Sequence, residues 1–120
     1  MSVRTQRVNE LLRADISEII SRELRDPRFE TMISITGVES TQDMRHAKVF
    51  VSVLGTDDQR NDVMRALKSA RVLIQRLLRQ RLPDLRLIPQ LDFRSDVSIE
   101  RGIRLSHALD DLARERGEGQ

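Results

Sequence analysis

Five basic side chains, Arg65, Lys68, Arg71, Arg76 and Arg79, recur through the stretch from Val63 to Leu82, VMRALKSARVLIQRLLRQRL, which contains no acid. A guanidinium offers a planar fork of donors that matches two phosphate oxygens, so such residues repeated along a helix suit a phosphate backbone. At about 100° per residue, Arg65, Lys68, Arg76 and Arg79 fall within an arc of roughly 80°. Val63, Leu67, Ala70, Ile74, Leu77 and Leu78 share the opposite stripe. One face is suited to a core and the other to a polyanion. Val72 is the one apolar residue inside the basic arc. Arg81 near its end, a sixth base, and Arg86 and Arg94 beyond it are further candidates flanking these five. On a straight helix Arg81 projects toward the apolar side, which suits it to the C-terminal carbonyls.

Other chemistries find few residues to carry them. The chain has no Cys and two His, His46 and His107, without H-x-x-x-H or H-E-x-x-H spacing or a Gly-rich turn for a nucleotide. Asp43 and His46 would supply at most two metal ligands, and their place in a polar turn explains them. Ser106, His107, Asp110 and Asp111 lie along one short helical stretch and read as a solvated face, not a triad. Asp57 and Asp58 suit helix capping better than paired-carboxylate catalysis. An enzyme, a metal and a cofactor are therefore not expected.

At 120 residues the chain suits one domain with one core. The absence of Cys fits a reducing compartment. The longest apolar run, Val49 to Leu54, is interrupted by Ser52 and is too short for a bilayer. The acids Glu10, Asp15 and Glu18 among the N-terminal arginines are unlike a secretory or transit signal, so a cytoplasmic protein is expected. The net charge of +2 conceals an uneven distribution. Residues 1–58 hold 8 basic and 10 acidic side chains, residues 59–94 hold 9 and 3, and residues 95–120 hold 4 and 6. A basic middle block between mildly acidic ends is the footprint of a polyanion-binding surface.

The elements that must position this block follow from periodicity. Val8, Leu11, Leu12, Ile16, Ile19, Ile20 and Leu24 predict an amphipathic helix over 3–25, stopped by Pro27. Strands are predicted over 32–40 and 46–54, antiparallel, with a β-bulge at Gly37 where the apolar phase slips. Thr56 to Gln59 has the T-x-x-Q spacing of a capping box at the head of the basic helix. Leu85 to Arg94 predicts a third strand, at a sheet edge because Pro89 cannot donate to a ladder. Ser98 to Arg114 predicts a last helix. The order α, β, β, α, β, α implies a two-layer α+β fold.

Among nucleic-acid binding modes, stacking on aromatic platforms is disfavoured, because Phe29, Phe50 and Phe93 are the only aromatics. A KH module clamps the backbone at a G-x-x-G loop, but the corresponding stretch, Ser69-Ala70-Arg71-Val72, has no glycine. Phosphate contact by the arginine face remains, with specificity from the shape of a folded RNA.

The segments ELRDPR (Glu23 to Arg28), SITGVESTQDMRHAKVFVSVLG (Ser34 to Gly55), ALKSARVLIQRLLRQRL, LRLIPQLDFRSD and SIERGIRLSHAL together resemble the ribosome-binding factor A family, in the right order over nearly the whole chain. The resemblance implies an α+β, type II KH-like fold in a single domain. It has a small three-stranded mixed sheet packed on helices, with an added C-terminal helix. Residues 1–115 would be the RNA-binding domain and 116–120 a disordered tail. It also implies a cytoplasmic factor that binds the small ribosomal subunit and its ribosomal RNA during late maturation. Such a factor supports rRNA processing and cold adaptation without being a nuclease. The family's Ala-x-Gly kink between two helices falls on Ala70-Arg71-Val72, with valine in place of glycine, so a weak kink or a nearly continuous helix is expected. A monomer is expected, with no membrane or small-molecule partner. The rival reading is a non-catalytic adaptor whose basic helix face docks an acidic protein.

Overall fold

A computed structural model of the chain describes residues 3–96. Helix α1 spans Val3–Arg22, a single 3-10 turn covers Pro27–Glu30, and strands β1 (Met32–Ser40) and β2 (His46–Leu54) form a hairpin. Helix α2 (Asp57–Arg81) then crosses to strand β3 (Gln90–Ser95). The sheet order is β1-β2-β3, with β1 antiparallel and β3 parallel to β2. The two-layer α+β arrangement with a mixed sheet is therefore the one expected of a KH-like chain. The helix expected over 98–114 and the tail lie outside the described residues.

Every element gives its apolar period to one core. Leu12, Ile16, Ile19 and Ile20 of α1 and Val63, Leu67, Ile74 and Leu78 of α2 are buried against Ile35, Val38, Ala47, Val49, Val51, Val53, Leu91 and Phe93 of the sheet. Ala70 and Leu77 are only partly covered. Lys48, Phe50 and Ser52 alternate outward from β2, as Asp92 and Arg94 do from β3. Both helices thus pack on one face of the sheet. The buried Asn9 of α1 accepts a hydrogen bond from Ser40 Oγ at 2.6 Å, which fixes α1 to the end of β1.

Two boundaries differ from the periodicity. Helix α1 stops at Arg22, three residues early, where Leu24 N donates to Ile19 O at 3.2 Å and the turn brings Leu24 onto the core. Asp26 then caps the unpredicted 3-10 turn, accepting from Arg28 N at 2.9 Å and from the Arg28 guanidinium at 2.6 Å. Strand β3 begins at Gln90, not Leu85. Pro89 has no N–H for a ladder, so pairing starts at the next residue. In consequence Ile88 and Pro89 are buried, while Leu87 turns outward.

The bulge lies at Thr36, just before Gly37: Ile35 pairs with Val51 and Gly37 with Phe50. The capping box of α2 is complete, with Gln59 N donating to Thr56 Oγ1 at 3.1 Å and Thr56 N to Gln59 Oε1 at 2.8 Å. A Cβ on Gly55 would collide with that same Gln59 amide oxygen, whereas a Cβ on Gly37 would meet open space. Gly55→Ala is therefore expected to lower stability by about 1 kcal/mol through loss of the cap. Gly37→Ala should cost less; chemical denaturation of both variants measures the difference.

The bonds from Arg28 hold the Asp26 carboxyl down, from its ordinary 3.8 to about 2. Because the folded value lies below the unfolded one, the pair's contribution is complete above about pH 4 and disappears as pH falls through about 2. An NMR titration should place the Asp26 midpoint near 2, returning toward 3.8 in Arg28→Ala.

Candidate nucleic-acid interface

The basic stretch occupies the outer face of one helix. Helix α2 runs without interruption for 25 residues, through Ala70, Arg71 and Val72, where an interhelical kink was the alternative. Valine supplies the Cβ that a glycine would lack, and the buried stripe keeps its phase from Val63 to Leu78, so nothing in the packing asks the backbone to bend. Its C-terminal half is tied to the sheet by Leu91 N, which donates to Gln75 Oε1 at 3.1 Å.

Four of the expected residues, Arg65, Lys68, Arg76 and Arg79, stand exposed along this outer face. Arg65 lies 3.6 Å from Asp62, an acid one residue ahead of the stretch that had looked free of them. Lys68, Arg76 and Arg79 have no acidic partner among the described residues. Such an exposed row of cations is available to an external polyanion. Val72, 62% exposed, lies in the middle of the row, with Leu73 at 43% beside it.

The other four candidates are placed differently. Arg71 turns off the row, half-buried, into an open groove of about 670 Å³ between α2, the hairpin end and the chain entering β3. Arg45 and His46 line the same groove, over an apolar floor of Val72, Leu87 and Ile88. Sequence reasoning does not select Arg45 or His46, because they sit some 25 residues before Arg71 in the chain. The hairpin end brings them close. Met44 adopts a left-handed φ of 62°, and Asp43 Oδ1 accepts from Thr41 Oγ1 at 2.7 Å and Arg45 N at 3.1 Å. Those two donors hold the Asp43 carboxyl below its ordinary range. Gln90 N donates to Arg45 O at 2.8 Å, which closes the wall of the groove.

Arg86 lines a second cleft, of about 440 Å³, with Arg4, Asp43 and Asp84. Two acids there balance two bases. Arg94 is on the sheet face away from α2 and is held by Asp92 at 2.7 Å. Arg81 is turned back against α1, within 3.5 Å of Asp15, Glu18 and Glu23 and 26% exposed. Its three carboxylates make it a latch between the helices, instead of a cap on the last carbonyls. Among the described residues there is no group of three or more His, Asp or Glu that could hold a metal ion, and no helix long and apolar enough to cross a membrane. Phe93 is buried and Phe29 and Phe50 are half-buried, so no aromatic ring offers a fully exposed stacking platform.

A family model described as Ribosome-binding factor A matches residues 4–109. The chain is 38% identical over 112 residues to the ribosome-binding factor A of Dehalococcoides mccartyi strain BAV1, covering 93% of this chain and 94% of that one. It is 43% identical over 106 residues to the Halothermothrix orenii protein of that name, covering 88% and 85%. The fold is similar to the crystal structure of ribosome-binding factor A from Thermus thermophilus, with a TM-score of 0.66 at 23% identity over 76% of this chain and 93% of that one. A Thermus thermophilus ribosome binding factor A homology model fitted into the cryo-EM map of a 30S complex is similar at a TM-score of 0.63, 22% identity and coverages of 78% and 96%.

The latch and the row should separate experimentally. Arg81→Ala is expected to cost about 1 kcal/mol of stability, because three carboxylates lose a shared cation. Arg79→Ala should stay within about 0.5 kcal/mol of the parent, since its side chain is exposed. Urea unfolding of the two variants checks both.

Proposed function

The chain belongs to the ribosome-binding factor A family, and from that membership we propose that it binds the small ribosomal subunit through ribosomal RNA, as a cytoplasmic factor of late maturation. In this reading it supports rRNA processing and cold adaptation and does not itself cut RNA. The observation that carries the reading is the row Arg65, Lys68, Arg76 and Arg79, exposed on one side of an unbroken helix. Phosphates of a folded RNA are its natural complement, and each contact releases counterions. Arg71, with Arg45 and His46, extends the contact into the adjoining groove. Arg86 and Arg94 are peripheral to it, and Arg81 serves the fold.

The 30S complex of the Thermus thermophilus relative supports the same partner. The absence of Tyr and Trp supports recognition by shape and phosphate geometry in preference to stacking. An acidic protein would satisfy the same cations, and binding of protein-free ribosomal RNA distinguishes the two.

The test is binding to purified immature small subunits across a salt series. Wild-type affinity is expected to fall steeply and linearly in log salt. The double variant Arg76→Glu/Arg79→Glu should lose affinity by about tenfold or more and flatten the slope by about two phosphates' worth, with its melting temperature kept. Equal binding by wild type and variant, with little salt dependence, would sink the RNA reading and favour the adaptor.

A further inference from the structure

The row on α2 has an internal symmetry. Lys68 and Arg76 stand four residues either side of Val72, and Arg65 and Arg79 seven. At a rise of 1.5 Å per residue the inner pair is about 12 Å apart along the axis and the outer pair about 21 Å. At about 100° per residue all four lie within roughly 40° of the direction in which Val72 points. The centre of the face is therefore uncharged and apolar, Val72 being 62% exposed, and two cations stand at each end, Arg65 sharing its charge with the exposed Asp62.

We propose that this face seats on the shallow groove of an A-form RNA duplex, with Val72 against the riboses and the two cation pairs on the phosphates of the opposite strands. The inference rests on the RNA reading above and specifies which form of RNA the helix takes. A double helix has two phosphate rows with an uncharged strip between them, related by a local two-fold axis, which is the pattern of the α2 row. A single strand presents one row and is held either on aromatic rings or in a G-x-x-G clamp; the three phenylalanines are all covered or half-covered, and Ser69-Ala70-Arg71-Val72 has no glycine. The minor groove of B-form DNA, about 6 Å wide, is too narrow for a helix about 10 Å across. Its major groove is lined mainly by polar base edges, where a valine at the centre of the face has only a thymine methyl to contact. The minor groove of A-form RNA is wide and shallow and displays riboses. The unbroken backbone through Val72 matters here, because a kink would throw the two cation pairs out of line.

Fluorescence anisotropy of the full chain decides it, with three probes at one ionic strength: an RNA duplex of about 16 base pairs, the DNA duplex of the same sequence, and one RNA strand without self-complementarity. The RNA duplex is expected to bind about tenfold or more tighter than either competitor. Val72→Gln, neutral and compatible with a helix, should weaken the RNA duplex several-fold and leave the DNA duplex unchanged. A single strand bound as tightly as the duplex, equal affinity for DNA and RNA duplexes, or a Val72→Gln variant that binds RNA duplex like wild type each overturns the inference. The three wild-type affinities decide it even if the variant melts early. If wild type still binds small subunits with a steep salt slope in those cases, only the duplex mode fails. If subunit binding is also salt-independent, and an acidic protein displaces the subunit, the RNA reading fails with it.

Discussion

The structure depends on the burial of one side of α2. Val63, Leu67, Ile74 and Leu78 are completely removed from solvent, so the rotation of the helix about its axis is fixed by the hydrophobic effect. A one-residue slip would turn each of these side chains by about 100° and drive Lys68 or Arg79 toward the core, at a desolvation cost of several kcal/mol per charge. The direction in which the outer cations point is thus set by the packing on the inner side. The Gln75 amide at the Leu91 N–H adds a polar tie at the same interface.

The charges divide between holding the fold and facing outward according to geometry. Arg81 carries the same guanidinium as Arg79 two residues away, but α2 turns it toward α1, where Asp15 and Glu18 of the helix and Glu23 just past its end surround it. Arg94 is neutralised locally by Asp92. What remains for a ligand is a narrow row, and its narrowness gives it orientation. A diffuse basic surface would bind any polyanion at any angle.

Much of this was legible in the letters. The apolar period of three to four in α1 and α2 and of two in β2 placed the core, and the slip at Gly37 marked the bulge. The T-x-x-Q spacing located the start of α2. The row Arg65, Lys68, Arg76 and Arg79 followed from helical phase alone, because a long regular helix maps position onto direction. The features that were missed involve long-range or irregular geometry. Arg45 and His46 reach the groove through a hairpin end whose shape depends on a left-handed Met44. Arg81's partners come from α1 and the residue that follows it, more than 55 residues earlier. The early end of α1 is a tertiary choice, in which Leu24 gains the core by leaving the helix. Pro89 fixes not only the strand's place at the sheet edge but also where the strand begins.

The parallel pairing of β2 with β3 requires the chain to cross over the sheet between them, and α2 makes up most of that crossover. The β2–β3 pairs are separated by 44 residues, against at most 22 in the β1–β2 hairpin, so the long-range closure of the sheet and the outer cation row are carried by the same element. Whatever grips α2 therefore also holds the two strands it connects. Occupancy of the helix face is coupled by mass action to the unfolding equilibrium of the whole domain, and amides of β2 and β3 that exchange by global unfolding gain protection by a factor of one plus the ratio of free ligand concentration to Kd, although they lie far from the ligand.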